Sequence, residues 1–196
     1  HYRGTAGARR FGVVILLEAI AAALVLSLAT GGSLSRLKHE QLRGESLLLL
    51  LLPLQVVWPA VSQRLGLGCG LSMIVWLLMM GVLAFVLFLN APRRWMLAFA
   101  GLGIAMNVLV IGFNGAVPVS VRAASEIGGT RAEIHASLDS ACLHEALDED
   151  TRLSFLADVI AVPGPTWQRG VISLGDILLV LGLGAWVFAA SRPRSV

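Results

Sequence analysis

Five long apolar stretches constrain the fold of this chain more than any other feature of its sequence. A transmembrane helix needs roughly 20 consecutive, mostly apolar residues, whereas a membrane strand needs roughly 9–11. Every stretch is well beyond the strand length, so the sequence predicts five membrane-spanning helices. The predicted spans are Phe11–Ala29, Ser46–Gln63, Leu67–Leu89, Trp95–Phe113 and Val171–Ala190.

The composition supports a membrane protein. Hydrophobic residues make up 57% of the 196 residues and charged residues only 14%, whereas soluble domains carry about 25% charged residues. The formal charge of +3 then reports membrane topology rather than binding to nucleic acid. The first span could also be an uncleaved signal peptide, but it exceeds the roughly 7–15 residues of such an apolar region. A membrane anchor is favoured, with the lipid bilayer as the partner.

The short loops predict the orientation, because cytoplasmic loops carry an excess of Lys and Arg. With the N-terminus outside and the C-terminus inside, seven such residues face the cytoplasm and four face outward. We therefore expect this orientation in a bacterial cytoplasmic (inner) membrane. The inward residues are Arg36, Lys38, Arg43, Arg93, Arg94, Arg192 and Arg194, and the outward ones are Arg3, Arg9, Arg10 and Arg64.

The segment Gly115–Gly170, here called the cap segment, is the only part large enough to fold outside the membrane. A short helix is predicted after Pro118, with Gly128 and Gly129 as its stop. Thr130 and Glu133 form a capping-box pattern that predicts a second helix through about Leu147. We expect one membrane domain over residues 1–196, all-α, with a helical extracytoplasmic cap over residues 115–170.

Three polar residues lie inside the predicted spans, namely Glu18, Gln55 and Asn107. A carboxylate inside a span costs on the order of 2.5–3.5 kcal/mol on insertion scales, so Glu18 is expected to face protein or water. Counting about 1.5 Å per residue places all three roughly 10–12 Å below the same membrane face. They could form a polar layer, either as hydrogen-bonded contacts between helices or as a proton or substrate site.

Two short patterns mark the outer ends of spans. Asn114-Gly115 is a turn dipeptide, and Pro118 fits the first turn of the next helix. Ser173 and Asp176 match a capping box at the start of the fifth span. Free N–H groups at a helix end are costly near lipid, so side-chain acceptors there have a structural role. A substrate or ion contact is the alternative for this pair.

The sequence offers no recognisable catalytic set, since the common hydrolase, phosphate-loop and redox motifs are absent. None of the four histidines lies in a predicted span. His135, Asp139 and Cys142 would share a helix face by spacing, but three mixed ligands are weak evidence for a metal. We assign no metal and no cofactor.

The two cysteines, Cys69 and Cys142, are expected on the same outer side. A disulfide between them would tie the cap segment to the helices across about 70 residues. Free cysteines, however, often act as small buried apolar groups, and Cys69 could lie too deep to reach Cys142. The expectation is two separate free thiols, with a disulfide as the alternative.

The stretches "NVLVIGFNGAVPVS", "TRLSFLADVIAVPGP" and "VISLGDILLVLGLG" resemble a family of small bacterial membrane proteins of unknown function. The shared features are an Asn-Gly-x-x-Pro-Val turn, a Leu-x-Asp outer piece and a Ser-x-Gly-Asp helix start. The resemblance implies a fold and a compartment but no reaction. The matching positions are Asn114, Gly115, Pro118, Asp158, Pro163, Ser173, Gly175 and Asp176.

Three functions stay open at this point. The missing catalytic motifs and long apolar faces favour an accessory or interaction subunit of a membrane assembly. The layer of Glu18, Gln55 and Asn107 suggests a small transporter or proton-coupled carrier as the alternative. A membrane enzyme that uses Asp158 and Asp176 at the outer face is third.

Overall fold

Eight helices dominate the computed structural model, which describes residues 4–139, 142–165 and 168–192, with side chains from residue 17 onward. Three of them, α3, α4 and α5, are long and apolar enough to cross a membrane. Leu17–Ala29 and α8 are shorter apolar helices. The bounds are α1 Gly4–Ala29, α2 Leu34–Lys38, α3 Glu45–Arg64, α4 Cys69–Asn90, α5 Met96–Asn114, α6 Val121–Glu126, α7 Arg131–Asp139 and α8 Leu174–Ala190.

Every predicted span contains a helix, but the last one begins later than predicted. The sequence placed its start at Val171, whereas α8 begins at Leu174. Val171 and Ile172 belong to a short strand instead. Ser173 caps the helix directly after this strand, so the apolar run passes from extended backbone to helix without a change in hydropathy.

The long helices pack side by side in the order α1, α8, α5, α4, α3. The centre of the row is a core of fully or nearly fully buried side chains from α4 and α5, including Leu83, Leu97 and Ala100. Leu179 and Leu183 of α8 pack against this core from one side. Among the described residues, the two outer helices, α1 and α3, share no extensive contact. The arrangement is an open row.

Glycines bring α5 and α8 into close contact. A Cβ added at Gly103 would collide with the backbone of Gly175 and Leu179, and one added at Gly182 would collide with the backbone of Ala100. Small residues let helix backbones approach closely in membrane proteins. Gly103 and Gly182 therefore allow the close packing of α5 against α8.

The cap segment contains two small sheets, so the prediction of an all-α chain is wrong there. Strand β1 (Val117–Val119) pairs in parallel with β2 (His144–Ala146). Strand β3 (Ile160–Val162) pairs antiparallel with β4 (Gly170–Ile172). Strands of three residues are too short to show the alternating pattern that predicts a strand. Their partners lie up to 27 residues away along the chain.

The same pairing corrects two local predictions. Helix α7 ends at Asp139 rather than near Leu147, because the backbone from His144 pairs with β1. Pro118 lies inside β1 rather than in the first turn of a helix. The short helix before the glycine pair and the Thr130–Glu133 capping box are confirmed.

A disulfide joins Cys69, the first residue of α4, to Cys142 in the cap segment. Their Cα atoms are 5.1 Å apart, within the range of ordinary disulfides. The expectation of two free thiols is wrong, because Cys69 sits at the helix end nearest the cap segment rather than deep in the row. The bond closes a sequence separation of 73 residues.

The helix ends away from the cap segment form a second cluster, here called the basic end. The backbone N–H of Ser33 donates to the Ser191 carbonyl (2.7 Å), which joins the ends of α1 and α8. The backbone N–H of Arg43 donates to Asn90 Oδ1 (2.8 Å), which joins the start of α3 to the end of α4. Two acids, Glu40 and Glu45, lie there among six cations. The cations are Arg36, Lys38, Arg43, Arg93, Arg94 and Arg192.

Candidate functional site

Ser173 and Asp176 form the capping box that the sequence predicts at the start of α8. The Asp176 backbone N–H donates to Ser173 Oγ, and the Ser173 backbone N–H donates to Asp176 Oδ2, both at 3.0 Å. Ser173 is 1% exposed. The box satisfies N–H groups of the first turn and places the Asp176 carboxylate at the positive end of the helix dipole.

Asn107 reaches this box from α5. Its Nδ2 donates to Asp176 Oδ1 (2.9 Å), and its Oδ1 accepts from Ser173 Oγ (3.0 Å). Gly175 makes the approach feasible, because a Cβ at that position would collide with Asn107 Oδ1 and with the Gly103 carbonyl. The glycine in Ser-x-Gly-Asp is therefore required by a neighbouring helix rather than by its own backbone conformation.

Asp158, in the cap segment, lies close enough to Asp176 to be affected by its charge. It follows a 3-10 helix, Ser154–Leu156, and its backbone is held against β1. The Asp158 N–H donates to the Pro118 carbonyl (3.0 Å), and the Ser120 N–H donates to the Asp158 carbonyl (2.8 Å). Loss of hydration and, to a smaller extent, the negative charge of Asp176 raise the pKa of Asp158 well above its usual value.

We call Asn107, Asp158, Ser173 and Asp176 together the carboxylate junction. Asp176 accepts hydrogen bonds from a backbone N–H and an amide. Asp158 is favoured in its protonated form by its surroundings. Within the junction, burial therefore favours a bound proton on Asp158, next to the hydrogen-bonded side chain of Asp176.

A second contact pins the cap segment to the end of α5. Gly115 adopts a φ of 80° and ends the helix, as the Asn-Gly turn predicts. The Asn114 side chain accepts from the Arg152 N–H (2.8 Å) and donates to the Arg152 carbonyl (2.9 Å). Both polar ends of this amide are used for structure, so Asn114 and Gly115 position the cap segment above α5.

The three residues of the predicted polar layer occupy different surroundings. Glu18 Oε2 accepts from Nε2 of Gln168 in the cap segment (2.7 Å), while Asn107 belongs to the carboxylate junction. Gln55 Nε2 is buried, and no described residue is its hydrogen-bond partner. The hydrogen bonds of the described residues do not join these three side chains, which lie on α1, α3 and α5, and no two of those helices are neighbours in the row.

Sequence reasoning missed the link between Asn107 and the Ser-x-Gly-Asp motif, and it gave Gln168 no role. Asn107 was placed in a layer by its depth in the span, and depth carries no information about which helices are adjacent. A metal at His135, Asp139 and Cys142 has no support, since Cys142 is in the disulfide. No group of three metal-ligating side chains occurs among the described residues.

The fold and this junction define a mostly helical protein whose apolar helices could cross a membrane. A model of a family of unknown function, DUF5317, matches residues 39–188, and the chain belongs to this family. The match includes all four residues of the carboxylate junction and both cysteines, whereas Glu18 lies before it. No curated protein and no solved structure matches the chain.

Proposed function

We propose that this chain is a multi-pass protein of a bacterial cytoplasmic membrane, with five membrane-spanning helices and Gly115–Gly170 as an extracytoplasmic cap. Three helices meet the length and apolarity of a span on their own. The apolar parts of α1 and α8 continue the same row on the α5 side. A bilayer around the row would cover the many exposed apolar side chains, such as Val25, Leu49 and Leu181.

The proposed orientation puts the N-terminus and the cap segment outside and the C-terminus inside. Disulfides persist in oxidising compartments and are rare in the cytosol, and the Cys69–Cys142 bond lies at the cap end. The six cations of the basic end lie at the opposite end, as the positive-inside rule requires of the cytoplasmic side. Two independent features thus favour the same orientation.

Cysteine labelling tests this orientation. Ala132→Cys in the cap segment and Ser35→Cys at the basic end are both exposed positions. On intact cells an impermeant thiol reagent should label the first and spare the second. The reverse pattern would contradict the orientation, and labelling of both sites only after lysis would contradict exposure of the cap segment.

For its role, we propose an accessory or interaction subunit of a membrane assembly. The open row of helices is the observation that carries this proposal. Glu18, Gln55 and Asn107 lie on helices that are not neighbours. A single chain therefore does not bring these three side chains together to line one transport path. Helix α3, at the edge, packs against α4 and keeps Leu49 75% exposed, which leaves one face for another membrane protein.

Site-specific photo-crosslinking in the native membrane tests the interaction role. A photoreactive residue at Leu49 of α3 should give a discrete protein adduct, which mass spectrometry of the purified product can identify. Leu181 of α8, which is 61% exposed, is the matched control and should give lipid adducts. Lipid adducts at both positions, and across the other exposed leucines of α3, would contradict an interaction through this edge.

The carboxylate junction supports a second candidate, a proton-coupled carrier. The raised pKa of Asp158, which lies close to Asp176 at the cap end of α5 and α8, supports this candidate because Asp158 would bind and release the transported proton. Purified chain in liposomes would then move protons or a co-substrate, and Asp158→Asn would abolish this movement. Glu18→Gln should also abolish it while leaving expression intact. If Glu18→Gln has only a mild effect on stability, the residue serves as a contact to Gln168.

A further inference from the structure

The basic end contains a depression that the functions above do not use. It has a volume of about 470 Å³ and lies between the α2–α3 connection and the α4–α5 turn. Binding sites for small molecules commonly occupy about 300–1,000 Å³. Its lining is mostly polar and includes His39, Gln41, Asn90, Arg93 and Arg94. We call these five residues the basic pocket.

The floor of the basic pocket is rigid. Asn90 is 4% exposed. Its Nδ2 donates to the carbonyls of Arg43 (2.9 Å) and Val86 (2.8 Å), and its Oδ1 accepts from the Arg43 N–H. Gly44, with a φ of 72°, turns the chain directly after Arg43 into α3. The pocket is therefore held by hydrogen bonds between the Asn90 side chain and the Arg43 backbone, which are 47 residues apart in sequence.

One arginine of the pocket is committed to structure and the other is not. Arg94 donates from Nε and Nη2 to Glu40 Oε2, and from Nη1 to the Arg93 carbonyl. The side chain of Glu40 is 10% exposed, so its charge is neutralised by this pair. Arg93 is exposed, and among the described residues its guanidinium makes no hydrogen bond or ion pair. The guanidinium of Arg93 at the rim is thus available to bind an anion.

The pocket lies where a membrane surface would meet the helices. Trp95 follows the two arginines, is 65% exposed, and contacts Phe99 edge to face at 5.7 Å between ring centroids. Tryptophan is enriched at the level of lipid headgroups. Phe88 and Leu89 precede Asn90 on α4 and are also exposed, so apolar side chains lie near the same end of the helix as the pocket.

From this arrangement we infer that the basic pocket binds the phosphodiester headgroup of an anionic phospholipid, with Arg93 on the phosphate and the acyl chains along Phe88 and Leu89. Arginine suits phosphate because its planar fork can donate two parallel hydrogen bonds. Basic pockets between helices on the cytoplasmic side are suited to anionic headgroups. His39 and Gln41 supply further donors at the rim. The inference rests on the proposed membrane location.

Native mass spectrometry of the delipidated full chain in detergent tests this site. Phosphatidylglycerol should bind as a discrete adduct, and Arg93→Gln should weaken that binding by about tenfold or more, since the charge-assisted hydrogen bonds to the phosphate are lost. Arg64→Gln, the same change of charge on an exposed residue at the other end of α3, is the matched control. It should leave the affinity unchanged.

Three results would overturn the inference. Equal binding to the wild type and Arg93→Gln would exclude the pocket as the site, and equal binding of phosphatidylcholine would exclude selection by charge. If inorganic phosphate displaces phosphatidylglycerol at the same concentration at which it binds the lipid-free chain, the pocket would be assigned to a soluble anion. Alkaline carbonate extraction of cells tests the membrane location separately, so a chain that stays in the membrane but binds no lipid in this pocket contradicts only the pocket.

Discussion

The α5–α8 contact and the α3 edge are both formed by apolar helices, yet they are held together differently. Between α5 and α8, glycines bring the backbones together and Asn107 satisfies polar atoms of both Ser173 and Asp176. At the edge, α3 contains Pro53 and Pro59, and within the described part of the chain the amide nitrogen of Gln55 has no hydrogen-bond partner. The contact between α3 and α4 includes one buried hydrogen bond, from Trp58 Nε1 to the Ser72 carbonyl (2.9 Å).

In the proposed bilayer, this difference would decide how specific each helix contact is. Lipid tails are as apolar as leucine, so apolar contact alone gives little preference for protein over lipid. Close backbone approach and matched hydrogen bonds do give such a preference. The α5–α8 pair has both and positions the carboxylate junction. Helix α3 has few of either, so lipid or another protein could replace its contact with α4 more easily.

The largest effect is expected from Gly175→Ala. The added Cβ would meet Asn107 Oδ1 and the Gly103 carbonyl, so α5 and α8 must separate, at a cost of about 2–3 kcal/mol in the free energy of unfolding. Gly112→Ala is the control, since a Cβ there meets nothing within 4 Å. Thermal unfolding in detergent measures both. A variant at Gly175 as stable as the one at Gly112 would refute the close contact.

Asn107→Ala should have the next largest effect. It leaves Asp176 and Ser173 each without one partner, which we expect to cost about 1–2 kcal/mol. A double-mutant cycle with Ser173→Ala measures the coupling directly, and residues of one hydrogen-bond network usually couple by at least about 0.5 kcal/mol. Additive effects of the two substitutions would show that the junction is not a connected network.

Asp158 should make stability depend on pH. Its pKa is raised in the folded protein, so the folded state holds this proton more tightly than the unfolded state, where the value is about 3.9. The contribution is fully present below that value and is lost as pH rises through the folded pKa. Unfolding measured from about pH 4 to 8 should show this decline in the wild type.

Asp158→Asn should remove that component of the pH profile, because the amide stays neutral throughout. Asp150→Asn, an equal change of charge on an exposed residue of the cap segment, should leave the decline in place. If the Asp158 variant retains the full decline, the proton is held elsewhere.

The smallest effect is expected from Gln55→Leu on the α3 edge. Removing a buried amide that has no partner is nearly neutral or stabilising, within about 0.5 kcal/mol. Thermal unfolding of the purified Gln55→Leu variant should therefore give a free energy of unfolding close to that of the wild type. A loss as large as that of Asn107→Ala would mean that Gln55 is satisfied in the protein and that the two regions are alike.

The sequence by itself determined the long helices and several of the helix ends. Five apolar stretches each contain a helix, Gly115 ends α5, Thr130 with Glu133 caps α7, and Ser173 with Asp176 caps α8. These features depend on hydropathy and on hydrogen bonds within four residues, so a local pattern is sufficient to predict them. The capping box is the part of the carboxylate junction that such reasoning could reach.

Tertiary structure alone decided which of these elements meet. The adjacency of α5 and α8 joins Asn107 to residues 66 and 69 positions away, and the fold of the cap segment brings in Asp158. The strands β1 and β2, and the bond between Cys69 and Cys142, likewise depend on partners distant in sequence. Such pairs form because packing brings distant segments together and offsets the entropy of closing long loops, and no local pattern records that balance.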